Sequence, residues 1–283
     1  MTIVYVHGGV SGIAKPETIC LDAFVAAGAG ATDRLDAVEL AVRALEDDPR
    51  FNAGYGSVLN SEGILEMDAG LACGATGRVG GVANVRVRHP ISLARRVMER
   101  TPHVLVTGNG AVTLGRDMEQ LPDTSPEERQ RWEEARRAGS LTPEAYGSPE
   151  HVDTVGAVAL DDEGRLAAGS STGGVFAKLP GRVGDAPIFG AGLYASPEAA
   201  VLGTGVGETF LEELAVVRVA VLIERGAAPQ EACEEIITLV GRRSTATAGL
   251  LALDREGRAG AAYRGGSWAV GGPAGALAAT RLP

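Results

Sequence analysis

Apolar residues along this chain follow two periods, and the switches between them outline its elements. "TIVYVHGG" near the start is an apolar run closed by two glycines, which predicts a strand ending in a tight turn. Residues 33 to 46, "DRLDAVELAVRALE", place Leu35, Val38, Ala41, Val42 and Leu45 at helical spacing, with Asp33 as the N-cap. "FNAGYGSVLNSEGILEMDAG" has no period, and its density of Gly and Asn predicts unusual backbone angles. "GGVANVRVR" alternates as a half-buried strand does, "SLARRVMER" returns to helical spacing, and "HVLVTG" predicts a short strand. Further on, "TVGAVALDDEGRLAAGSST" predicts a hairpin that turns at Asp162-Glu163-Gly164. "AGLLALDREGRAGAAYRGG" repeats that strand–turn–strand grammar. Between the hairpins, "GETFLEELAVVRVAVLIERG" predicts one long helix ended by Gly226, and "PQEACEEIITLV" a second with Pro229 in its first turn. Hairpins with helices gathered between them imply α+β layers rather than a βαβ succession.

One segment fits neither period. From Arg116 to Asp153 the chain is charged, interrupted by prolines and poor in large apolar residues. That composition predicts a mobile, solvated stretch with a surface helix over "PEERQRWEEARRAG".

Composition narrows the class. The chain has 283 residues, enough for one large domain, and 40 glycines against five phenylalanines predict an interior of small side chains. A net charge of −10 argues against nucleic acid or an anionic membrane surface as partner. "MTIVYVHGGV" lacks the basic and apolar regions of a signal peptide, and no window holds eighteen uninterrupted apolar residues. Cys20, Cys73 and Cys233 are odd in number and far apart, outside any metal-ligand spacing; reduced, buried thiols in a cytoplasmic protein are expected.

Most catalytic signatures are missing. There is no GxxxxGK[ST] and no HExxH, and the four histidines are scattered. "GTGVGE" at 203 to 208 opens a helix and offers free backbone N–H groups to an anion or oxyanion. What stands out is Thr154, at the seam between the charged segment and an apolar run. An internal threonine hydroxyl lacks a base, so by itself this residue reads as a β-branched strand starter. Scission of the Asp153–Thr154 bond would change that. The new α-amine, with an ordinary pKa of about 7.7–8.0, would give one residue both nucleophile and general base.

The surrounding motifs decide between these readings. "DTVGAVALD", "SSTGG", "GRVGD" and "GTGVGE" follow "HGG" at 7 to 9, "DPRFNAGYGSVLN" at 48 to 60, "EMDAG" at 66 to 70 and "TPHVLVTGNGA" at 101 to 111. Over nearly its whole length and in collinear order, the chain resembles the plant-type (type III) L-asparaginase/isoaspartyl peptidase family of N-terminal-nucleophile hydrolases. The resemblance implies a four-layer αββα sandwich, a single domain over 1–283 matured into subunits 1–153 and 154–283, and a homodimer of such units. Thr154 would be the nucleophile freed by autocatalytic cleavage after Asp153, and Thr172 the second threonine, hydrogen-bonded to its hydroxyl. Arg182 and Asp185 would hold the substrate's free α-carboxylate and α-ammonium. Thr204 and Gly205 would stabilise the oxyanion, Gly207 would meet the amine through its backbone, and Asn52 would line the site. The implied substrates are L-asparagine and β-aspartyl dipeptides, split without a catalytic metal or cofactor. A structural sodium held by main-chain carbonyls of the 45–55 loop is also implied.

Three alternatives remain beside that reading. N4-(β-N-acetylglucosaminyl)-L-asparaginases share the clamp but tend to read "STNG" where this chain has Gly173-Gly174, and are usually secreted with disulfides. A taspase-like endopeptidase would have no use for a zwitterion clamp. A non-enzymatic aspartate- or asparagine-binding relative would not need Thr154 and Thr172. "HGGVSGI", "RRSTATAGLLALD" and "AYRGGSWAVGG" depart from the family pattern, so the leaving group is left open.

Overall fold

The computed structural model describes residues 2–11, 19–141 and 154–283. An eight-stranded sheet has the order β12-β11-β1-β5-β6-β2-β3-β4. Its strands are β1 (Ile3–Ser11), β2 (Met67–Cys73), β3 (Val79–Val85), β4 (Leu105–Thr107), β5 (Val155–Leu160), β6 (Leu166–Thr172), β11 (Ser267–Gly272) and β12 (Gly275–Ala276). A five-stranded sheet has the order β13-β10-β9-β8-β7. It comprises β7 (Leu193–Ala195), β8 (Ala199–Gly205), β9 (Ala248–Asp254), β10 (Ala259–Arg264) and β13 (Thr280–Arg281).

Strand alternation explains why the two sheets stack. In β5, Val155, Ala157 and Ala159 join one core while Val158 and Leu160 join another. In β8 and β9, Ala199, Val201, Leu250 and Ala252 face one way, and Ala200, Leu202, Leu251 and Leu253 the other. A strand apolar on both faces must be covered twice. The inter-sheet core, with Leu166, Leu193, Leu202, Leu251 and Val270, covers one face of each sheet. Helices α1 (Asp22–Ala29), α2 (Arg34–Glu46) and α3 (Pro90–Arg100) cover the outer face of the larger sheet. Helices α7 (Ala215–Glu224) and α8 (Pro229–Arg243) cover the smaller sheet. The result is the expected αββα sandwich.

Local signals hold where they are specific. Asp33 caps α2, its Oδ1 accepting from Leu35 N at 2.8 Å and Asp36 N at 3.4 Å, a cap worth about 1 kcal/mol. Asp161 and Asp254 brace the two matching hairpin turns identically. Each accepts through Oδ1 from the backbone N–H two and four residues on, and through Oδ2 from an arginine, Arg165 at 2.9 Å and Arg258 at 2.6 Å.

Three expectations need correction. The single long helix is two, α6 (Gly207–Glu213) and α7, separated by Leu214 with a left-handed φ of 50°. Phe210 of α6 is buried against β8 at Gly203, whereas α7 is tethered at its start by Val217 N donating to Gly190 O at 3.0 Å. The reversal lets both anchors be met, at a backbone cost of about 1–2 kcal/mol, and periodicity misses it because each half keeps its apolar spacing. The charged segment is not solvated throughout. Within it, α5 (Pro126–Arg137) buries Trp132, whose indole donates to Asn60 O at 2.8 Å among Leu59, Leu65, Met67 and Phe176. One large side chain outweighs the average composition; residues 142–153 lie outside the described residues. Finally, Cys73 and Cys233 are buried and free, but Cys20 is exposed, since it lies ahead of α1 rather than on its buried face.

Candidate active site

The site forms where strands of both sheets end on the inter-sheet face. β5 and β6 pair antiparallel with Val155 opposite Ser171, so the next pair outward is Thr154 with Thr172. Their hydroxyls meet at 3.2 Å, Thr154 Oγ1 donating to Thr172 Oγ1. A hairpin of this register is why two threonines 18 residues apart become neighbours. Thr172 Oγ1 also accepts from Gly174 N at 2.9 Å. Ser171, facing the helical layer instead, donates to the buried Glu46 at 2.7 Å.

The second sheet supplies Thr204 and Gly205 from the end of β8. Thr204 Oγ1 lies 3.4 Å from both Thr154 O, to which it donates, and Val10 N, from which it accepts. Gly205 has φ +140°, and a Cβ there would stand 2.2 Å from Thr247 O. No larger residue fits, because the backbone of Thr247 and Ala248 packs directly against this glycine.

Asn52 lies within this cluster, but its hydrogen bonds go to the backbone rather than to Thr154. Its Nδ2 donates to Gly174 O at 2.6 Å and its Oδ1 accepts from Val58 N at 3.0 Å. It therefore braces the turn that follows Thr172. Asp153 lies outside the described residues.

Arg182 and Asp185 converge on Gly207. A Cβ on Gly207 would stand 2.8 Å from Asp185 Oδ1 and 3.0 Å from Arg182 Nη2. Absence of that side chain lets a cation and an anion stand together against the Gly207 backbone. Asp185 is only 3% exposed, and its Oδ2 has no hydrogen-bond partner among the described residues. Burial pushes its pKa up to about 7, against the pull of Arg182, while the Glu208 and Asp68 carboxylates add to the rise. A buried carboxylate oxygen without a partner is a place for a donor such as an ammonium group.

Sequence reasoning missed the carboxylates that hold this clamp. Asp68, fully buried, accepts from Asn84 N at 2.9 Å and from Gly184 N at 3.1 Å, fixing the loop between Arg182 and Asp185. Glu66 accepts from Gly181 N at 3.1–3.2 Å, while its carbonyl accepts from the buried Lys178 at 2.8 Å. Glu208 takes two hydrogen bonds from Arg182. "EMDAG" and "GTGVGE" contain these residues, but only their place in a recurring motif marked them. Among the described residues no cluster of His, Cys, Asp or Glu could hold a metal ion. In the 45–55 loop, carbonyls crowd the glycine turn. A Cβ at Gly54 would stand 2.3 Å from Glu46 O, and one at Gly56 2.3 Å from Phe51 O and 2.6 Å from Pro49 O.

Two stacked sheets between helical layers, with a buried threonine pair where β5 begins and β6 ends, define an N-terminal-nucleophile hydrolase fold. The chain belongs to the asparaginase family, whose family model matches residues 14–271. It is 40% identical over 280 residues to an isoaspartyl peptidase of Salmonella typhimurium, covering 90% of each chain. It is 41% identical over 286 residues to a plant-type L-asparaginase of Pyrococcus abyssi, covering 92% of each. A rat isoaspartyl peptidase/L-asparaginase is 39% identical over 275 residues, 90% of this chain and 81% of that protein.

Proposed function

We propose that this hydrolase splits the side-chain amide of L-asparagine and the isopeptide bond of β-aspartyl dipeptides, releasing L-aspartate. The names of its relatives support that substrate class. The observation that carries the mechanism is the 3.2 Å contact between the hydroxyls of Thr154 and Thr172. After cleavage between Asp153 and Thr154, Thr154 Oγ attacks the substrate's side-chain carbonyl carbon, and its own α-amine takes the hydroxyl proton. The Thr204 hydroxyl and the Gly205 N–H receive the negative charge on the tetrahedral oxygen, an interaction worth on the order of 10²–10³ in rate per donor. The amine returns the proton to the leaving ammonia or amino acid. Water then attacks the threonyl ester and frees L-aspartate. Arg182 holds the α-carboxylate through its planar donor fork, while Asp185 and the Gly207 backbone hold the α-ammonium.

The rest of the reading rests on family analogy. The carbonyls of Glu46, Pro49 and Phe51 would hold a structural sodium, since main-chain oxygens can replace a monovalent ion's hydration shell, and no chemical step passes through it. The assembly is a homodimer of processed units, and the compartment is the cytoplasm; among the described residues no helix is long and apolar enough to cross a membrane.

Purified protein incubated separately with β-Asp-Leu and L-asparagine should release aspartate from both, and should run on a denaturing gel as two fragments split at 153/154. Thr154→Ala should do neither. A Thr154→Ala protein that still splits there would sink the mechanism.

A further inference from the structure

The guanidinium of Arg182 is not free to turn. Its Nε donates to Glu208 Oε1 at 2.9 Å and its Nη2 to Glu208 Oε2 at 2.8 Å. This side-on pair occupies one edge of a planar group that carries five donors. The end-on edge, made by Nη1 and the second hydrogen of Nη2, has no acceptor among the described residues. That edge is ringed by glycines, and side chains there would crowd it: a Cβ on Gly174 or Gly184 would stand 3.1 or 2.9 Å from Nη1, and one on Gly207 3.0 Å from Nη2. Asp185 Oδ1 faces the same glycine, 2.8 Å from a Cβ on Gly207, and its Oδ2 has no hydrogen-bond partner among the described residues. The unoccupied donor edge and the unpartnered carboxylate therefore address one small zwitterion together.

Glu208 reaches this arrangement from the solvent side. Its side chain is 54% exposed, and it follows Gly207 in the first turn of α6. An ion pair so exposed contributes little to folding stability, so its value is positional. A glutamate that competed with substrate would cover the end-on edge; this one leaves that edge open. We infer that Glu208 is a positioning residue for substrate recognition. It locks Arg182 side-on so that the end-on edge accepts a free α-carboxylate, which makes the pocket selective for substrates whose α-carboxylate is unblocked. The inference deepens the proposed function and rests on it for the identity of the ligand.

The test compares the full-length protein with Glu208→Ala and Glu208→Gln. Calorimetry gives Kd for L-aspartate and for its α-amide, and steady-state kinetics give KM and kcat for L-asparagine. Losing the charge-assisted pair should weaken L-aspartate binding about 10-fold in Glu208→Ala, with a smaller loss in Glu208→Gln, which keeps the side chain's size and one acceptor. The α-amide, which presents no carboxylate to the fork, should change by less than about 3-fold. KM for L-asparagine should rise with Kd, while kcat stays within about 2-fold. Equal weakening of both ligands would reveal a merely structural residue and overturn the inference. So would unchanged or tighter binding of L-aspartate, or failure of the unaltered protein to bind it. The hydrolase reading fails separately, if the unaltered protein binds L-aspartate yet releases none from L-asparagine or β-Asp-Leu.

Discussion

Thr172→Val gives the sharpest test of the threonine pair, because valine keeps the shape and deletes only the oxygen. Thr172 is buried, and its Oγ1 has two partners, Thr154 Oγ1 at 3.2 Å and Gly174 N at 2.9 Å. Removing it leaves the Gly174 N–H without that acceptor, a cost of about 1–3 kcal/mol for a buried donor. At roughly 2–4 °C per kcal/mol for a chain of this size class, Tm should fall by roughly 2–12 °C. A loss of that size leaves the protein folded at 25 °C, so any larger effect on turnover is chemical. On the proposed mechanism the hydroxyl that would orient Thr154 is gone, and kcat for L-asparagine should drop on the order of 10²-fold, as when a single pre-positioned hydrogen-bonding group is removed. Thr172→Ser restores the oxygen without the methyl group and should recover most of the rate. Aspartate release under saturating substrate measures both variants. If Thr172→Val turns over within threefold of the unaltered protein, or Thr172→Ser is equally impaired, the hydroxyl contact has no catalytic role.

Asp185 sets a pH dependence. Burial raises its pKa to about 7, and it must be ionised to hold an ammonium group, so kcat/KM should fall as pH drops through about 7. Between its unfolded value of about 3.9 and its folded value the native state binds the extra proton, so this group's contribution to stability declines as pH rises across that window. A kcat/KM flat from pH 8 to pH 5 would refute the assignment, whereas the Thr154 amine should also impose an acid limb on kcat. Trp132→Ala tests whether the charged segment is part of the fold. Its indole is 7% exposed and bonded to Asn60 O at 2.8 Å, so urea unfolding should show a loss of about 3 kcal/mol. An unchanged midpoint would mean that α5 packs loosely.

The sequence revealed most where one residue type had one physical job. Asp33 was legible as a cap, Pro229 as a helix start and Gly164 as a turn, because each answers a local requirement. Strand-by-strand alternation was legible too, but not that both faces would be covered. "TVGAVALD" and "AGLLALD" look like continuous apolar runs, and the partner of each face is set by long-range stacking. The break at Leu214 and the burial of Trp132 stayed hidden because tertiary anchors, not local preference, decide them. Thr154, Thr172, Arg182 and Asp185 were found through resemblance, while Glu208, Asp68 and Glu66 were passed over. A carboxylate that serves the backbone or another side chain has no signature of its own in a chain carrying 36 acidic residues.

The location of the site follows from the architecture rather than from any single loop. Thr154 and Thr172 belong to the larger sheet, whereas Thr204 and Gly205 end a strand of the smaller one. The hydrogen bond that joins them, Thr204 Oγ1 to Thr154 O, spans 3.4 Å and is already at the limit of a hydrogen bond. Sheet spacing therefore sets the distance between Thr204 and Thr154 directly. That spacing is maintained by the side chains behind the site; Leu202 of β8 reaches to 2.7 Å from where a Cβ on Gly156 of β5 would stand. A close-packed interior transmits a lost methyl group as a shift of fractions of an ångström. A shift of that size leaves the sandwich folded but, on the proposed mechanism, would carry Thr204 and Gly205 away from Thr154. On the proposed mechanism the leucines, alanines and valines of the inter-sheet core therefore determine rate as well as stability.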